Sequence, residues 1–70
     1  MIHENKECQE LQQWLKEEVG LIQYYDNLVM NGFDSLDMIK EINNKNDLEY
    51  IGIVIKAHQI KLMNRIRRLT

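Results

Sequence analysis

Cys8 and His58 form the one obvious nucleophile–base pair in this chain, and they fall in different elements. A reactive thiol needs an electropositive, partly enclosed setting to stay ionised. Cys8 lies in an N-terminal segment expected to fray, so it reads as a surface thiol. Tetrahedral zinc takes about four ligands at defined spacing, and His3, Cys8 and His58 show no such pattern. Gly20, Gly32 and Gly52 stand singly, so no glycine-rich loop is available to cradle phosphate. Asp34, Asp37 and Glu41 are carboxylates that a hard cation would accept, but the spacing of a calcium loop is missing. On a short helix such a run reads as a solvated face. His58 reads as a half-buried residue near a helix start. Trp14 and Tyr24 sit at helical spacing with other apolar residues and read as core. The chemistry-bearing residues therefore argue against an enzyme, and no cofactor or metal is expected.

The elements that would position these side chains are short. A chain of 70 residues is one domain at most. A domain of this size buries only about 60% of its unfolded surface, which leaves a narrow stability margin. An apolar fraction of 44% suits a folded chain. With one cysteine, no intrachain disulfide can form. A lone thiol and no secretory leader fit a reducing compartment, cytoplasmic or nuclear. The run Ile53-Val54-Ile55 falls far short of the roughly 20 apolar residues that cross a bilayer.

Proline is absent, and the glycines punctuate. Gly20 separates Leu11, Trp14 and Leu15 from Leu21, Tyr24, Tyr25 and Leu28, two sets with amphipathic-helix spacing. Gly32 can end the second helix in a left-handed conformation. Asp34 or Ser35 can cap a third, carrying Leu36, Ile39 and Ile42. Asn46 or Asp47 can cap a fourth, with Leu48 and Ile51 inward, ended by Gly52. The fifth starts near Lys56 and runs to the C-terminus, with Leu62, Met63, Ile66 and Leu69 inward. Ile51–Ile55 has strand propensity. No second strand-like run exists to satisfy its backbone, so it reads as a turn with Ile53 in the core. The expectation is an all-α fold, a compact five-helix bundle with a long C-terminal helix. Residues 1–9 form the frayed segment and 10–70 the domain.

Charge is segregated. Residues 1–50 carry all 11 carboxylates and four lysines; residues 51–70 carry five cations and no carboxylate. Such a division can favour head-to-tail association. It also arises wherever cations offset the dipole at a helix C-terminus. On the last helix, Lys61, Arg65 and Arg68 make a stripe beside the inward one, and Ile60 falls almost opposite Leu62.

Trp14-Leu15, Gly20-Leu21, Tyr24, Asp47-Leu48, Gly52-Ile53, His58 and Lys61-Leu62-Met63, in that order and spacing, resemble the sterile alpha motif (SAM) domain over about residues 10–69. Two departures stand out. Lys16-Glu17-Glu18-Val19 is one residue longer than the usual spacing to Gly20, which a loop should absorb. Ala57 replaces the usual glycine before His58.

The resemblance implies an interaction module with an acidic mid-loop surface and a basic end-helix surface. Asn31–Asp37 is similar to the mid-loop of members that pair with Eph-receptor-type SAM domains. The implied mid-loop residues are Phe33, Asp34, Asp37, Met38 and Glu41, and the end-helix residues are Lys56, Ala57, His58, Ile60 and Lys61. The implied partner is another SAM domain or a second copy of this chain. The alternative is RNA-hairpin binding through Lys56, Lys61 and Arg65, as in some SAM domains. Against it, the chain is net acidic and no aromatic residue interleaves with the basic stripe. A lipid contact through Arg65, Arg67 and Arg68 has fewer cations than the 4–8 that mark anionic-lipid binding.

Overall fold

The computed structural model describes residues 6–69. Among them the chain forms five helices and no strand. The first, α1, spans Lys6–Gln13 and continues directly into a π-helix, Trp14–Val19. A single 3-10 turn, Ile22–Tyr24, leads into α2, Tyr25–Met30. Then come α3, Leu36–Ile39, α4, Lys45–Ile51, and the long α5, Lys56–Leu69. Residues 1–5 of the segment expected to fray lie outside the described residues, while residues 6–9 belong to α1.

The residue in excess before Gly20 is not absorbed in a loop. It is taken up inside the helix. Trp14–Val19 widens to π geometry, in which each amide bonds five residues back. The Gly20 amide accordingly donates to the Leu15 carbonyl at 2.7 Å, and the Leu21 amide donates to the same oxygen at 3.0 Å. Widening the coil by one residue keeps Trp14, Leu15 and Val19 all buried. A loop would have freed backbone groups beside the core. Gly20 then stops the helix at φ 78°, a conformation that costs glycine little.

Of the two capped starts, one agrees with the sequence expectation and one differs. For α3 the cap is Ser35, one of the two candidates, whose hydroxyl accepts from the Met38 amide at 3.2 Å. For α4 the cap is Asn44, not Asn46 or Asp47. Its side-chain oxygen accepts from the Asp47 amide at 3.1 Å, so the helix begins earlier, at Lys45. Several polar residues in a row can each cap, and the earlier start adds nearly a turn ahead of buried Leu48. Ile42 is buried, but in the connection after α3 rather than on it.

The core draws on every segment. Leu11, Leu15, Leu28, Ile39, Leu48, Ile53 and Leu62 are completely enclosed, and Trp14, Ile51 and Ile66 nearly so. α1 packs on α3, and α5 packs on both the π-helix and α4. Met63 and Leu69, expected inward, are half-buried against this core. Trp14→Ala is expected to lower the unfolding free energy by about 3–5 kcal/mol, a large share of what a small domain has. Urea denaturation measures it. A midpoint equal to the parent's would place the indole outside the core.

Candidate interaction surfaces

The turn at Gly32 builds the first surface. With φ 91° there, the Phe33 amide folds back onto the Leu28 carbonyl at 2.9 Å. Phe33 is thereby held half-buried against the core. The cap at Ser35 then launches α3, so Asp37 and Met38 emerge on its outer side, with Asp34 before them and Glu41 after; all four are exposed. Asp37 pairs with Lys40 at 3.7 Å. Asp37 is almost fully solvated and Lys40 is 39% exposed, so the pair is weak and leaves the acidic character of this surface largely in place. Phe33 and Asp47 line one open cavity of about 290 Å³ together with Tyr50. Tyr50 is 80% exposed and was not among the residues singled out from sequence. Its position two residues past buried Leu48 was the available signal, because a helix turns such a residue away from the inward stripe.

The second surface is built by the connection into α5. Ile53 is fully buried while Val54 and Ile55 are 68% and 51% exposed. The buried Gln59 side chain donates to the Ile53 carbonyl at 2.8 Å, and the Gln59 amide to the Ile55 carbonyl at 3.0 Å. These bonds pin the connection to α5 and hold Val54 and Ile55 outward, beside Lys56. Lys56, Ala57, Ile60 and Lys61 are exposed. His58 is half-buried. Its Nδ1 is hydrogen-bonded to the Tyr24 hydroxyl at 2.5 Å, with the rings edge to face. His58 thus ties the start of α5 to the 3-10 turn, and only part of its ring is left for a partner. Lys61 reaches back over the end of the π-helix, where a Cβ on Gly20 would sit 3.3 Å from its Nζ. A cation there faces the negative end of the helix dipole.

Val54 and Ile55 were missed because sequence reading treated residues 51–55 only as a connection. Alternation within it, one residue in and its neighbours out, was the signal. Cys8 is half-buried in α1 rather than a surface thiol. No group of three or more His, Cys, Asp or Glu among the described residues is arranged to hold a metal ion. No helix among them is long and apolar enough to cross a membrane.

The model of one family, the SAM domain (sterile alpha motif), matches residues 4–70. The chain belongs to the SAM domain family. Caskin-1 of Rattus norvegicus is 46% identical over 56 residues, 80% of this chain and 4% of that protein. Ankyrin repeat and sterile alpha motif domain-containing protein 1B of Danio rerio is 37% identical over 70 residues, 96% of this chain and 5% of that protein. Ephrin type-B receptor 1 of Gallus gallus is 34% identical over 59 residues, 84% of this chain and 6% of that protein. The chain therefore spans only about a twentieth of these relatives' length. No solved structure gives a significant match. SAM domains are in general protein-interaction modules, and this one has the all-α architecture of the family.

Gln59 is the residue that shapes the second surface of this SAM domain. Gln59→Leu is expected to keep the side chain buried but leave the Ile53 carbonyl unpaired, at a cost of about 1–3 kcal/mol. Hydrogen exchange should show the 53–55 connection opening before the rest of the domain. Uniform protection equal to the parent's would mean that Gln59 does not hold the connection.

Proposed function

We propose that this SAM domain is a non-catalytic module that binds another SAM domain, or a second copy of itself, head to tail. Phe33, Asp34, Asp37, Met38 and Glu41 form the acidic face of this contact, and Lys56, Ala57, His58, Ile60 and Lys61 the basic one. The observation that carries the reading is that each charged set encloses exposed apolar side chains. Met38 and half-buried Phe33 lie among the acids, and Ile60 lies among the lysines. An apolar centre with a charged rim is the usual anatomy of a specific protein contact. Tyr50 extends the first face, and Val54 and Ile55 extend the second.

Charge at such rims steers encounter and sets orientation more than it adds affinity. Phe33 is the anchor, since a rigid aromatic at the centre of an interface carries most of the energy. The parent protein would use the module for scaffolding in signalling assemblies of the cytoplasm or nucleus. RNA binding is disfavoured because the fully exposed residues around Lys56 and Lys61 are aliphatic and the one ring there, His58, is half-buried and bonded to Tyr24, leaving little for base stacking.

If the domain self-associates, Asp34→Lys and Lys61→Glu should each return it to monomer in sedimentation velocity. An equimolar mixture should recover a heterodimer, since each variant keeps one intact face. If it binds only a foreign SAM domain, one of the two variants should weaken that complex about tenfold or more and the other should not. Binding and assembly unchanged in both, with circular dichroism confirming the fold, would reject the two-face reading. A second expectation is the absence of sequence-selective RNA-hairpin binding at physiological salt. A submicromolar, sequence-selective complex lost in Lys56→Glu would reverse the ranking.

A further inference from the structure

A groove of about 330 Å³ runs along α5, with the start of α4 and the connection before it as its other wall. Its lining contains three cations, Lys45, Lys56 and Arg67, and no carboxylate among the described residues. That is a marked separation in a chain with 11 carboxylates against nine cations. Between the cations, exposed Ile60 and half-buried Met63 supply an apolar stretch. Asn64 lines the groove as well and accepts from Arg67 Nη1 at 3.5 Å, which orients the guanidinium from its own helix. Glu49 meets the wall residue Gln59 at 3.5 Å but is not part of the lining.

We infer that this groove is a docking site for a short, extended acidic peptide segment with an apolar residue between its carboxylates. Spacing supports the assignment. Lys56 and Arg67 lie eleven residues apart on α5, so at the helical rise they stand about 16 Å from each other. A single phosphate or carboxylate cannot reach both. An extended peptide rises about 3.3 Å per residue and alternates its side chains, so acids four positions apart share one face and stand about 13 Å apart, a gap to the two ends that the long Lys56 and Arg67 side chains close. An apolar side chain midway between them shares that face and falls at Ile60 and Met63, while Lys45 adds positive charge to the opposite wall. The lining lacks aromatic rings, which removes the stacking platform that single-stranded RNA uses. A bilayer surface is flat, whereas these cations border a recess, and three is below the number that marks anionic-lipid binding. Lys56 and Ile60 also belong to the basic face of the head-to-tail contact, but Lys45 and Arg67 do not. The groove therefore overlaps that contact at Lys56 and Ile60, and only variants at Lys45 and Arg67 tell the two apart.

The test is fluorescence anisotropy on the full chain with a fluorescein-labelled pentapeptide, Glu-Ser-Leu-Ser-Glu. Its amide analogue, Gln-Ser-Leu-Ser-Gln, serves as the control. The acidic peptide should bind at least about tenfold tighter than the analogue, a gap of about 1.4 kcal/mol, and added salt should weaken it. The double variant Lys45→Glu, Arg67→Glu should lose that preference, and the milder Lys45→Gln, Arg67→Gln should reduce it with the fold retained. Asp34→Lys, which disables the acidic mid-loop face, should leave peptide binding unchanged. No binding, equal binding of the two peptides, or binding unchanged in the glutamine variant would overturn the inference. So would a stronger response to an RNA hairpin or to phosphatidylserine vesicles than to the acidic peptide.

Discussion

Burial of Ile53 between α4 and α5 is the constraint on which the rest of this domain depends. The residue is fully enclosed, although its neighbours Val54 and Ile55 are exposed. An apolar plug in a connection requires the surrounding backbone to be satisfied without helix or sheet. Here the Ile53 amide donates to the Leu48 carbonyl at 2.9 Å, and the Ile53 carbonyl accepts from Gln59 at 2.8 Å. Gly52 makes the reversal with φ 107°, and Asn27 of α2 donates to the Ile51 carbonyl at 3.2 Å. A Cβ at Gly52 would lie 2.8 Å from that Asn27 nitrogen, so the backbone conformation demands glycine and any side chain there would displace Asn27 from its bond. One buried side chain thus fixes where α4 stops and in which direction α5 leaves.

The second control is the π-helical end of the first helix. An inserted residue in a helix normally rotates everything after it by about 100°, which would carry part of the apolar stripe into solvent. Widening the coil absorbs the insertion locally and returns Val19 to the core. Gly20 then brings the chain close under Lys61 of α5. The end of the first helix and the last helix therefore approach each other at a position with no side chain, with the Lys61 ammonium lying over it.

The acidic and basic faces follow from these backbone decisions rather than from any special chemistry of their residues. The turn at Gly32 half-buries Phe33 and leaves Asp34 in water, and the Ile53 plug forces Val54 and Ile55 outward next to Lys56. Each face combines a small apolar centre with solvated charge. Such surfaces give modest affinity, strong salt dependence and good discrimination of orientation. Such a combination would suit the reversible assembly proposed above.

Much of this was legible in the sequence. Apolar spacing marked the five helices and nearly all of the core, because a residue's side of a helix depends on local periodicity alone. The three glycines were readable as stops, since φ above zero is cheap only for them. The split of charge and the family signature were also linear properties. The α4 cap was not legible: Asn43, Asn44, Asn46 and Asp47 can all accept an amide, and local sequence does not rank them. Nor was the π-helix, since whether an extra residue loops out or widens the coil depends on what Val19 must touch across the core. The Tyr24–His58 bond, the cavity shared by Phe33 and Tyr50, and the groove joining Lys45 to Lys56 and Arg67 each unite residues distant in the chain. Those pairings came only from packing the helices together, because the angle between two elements is set by the side chains that fill the space between them.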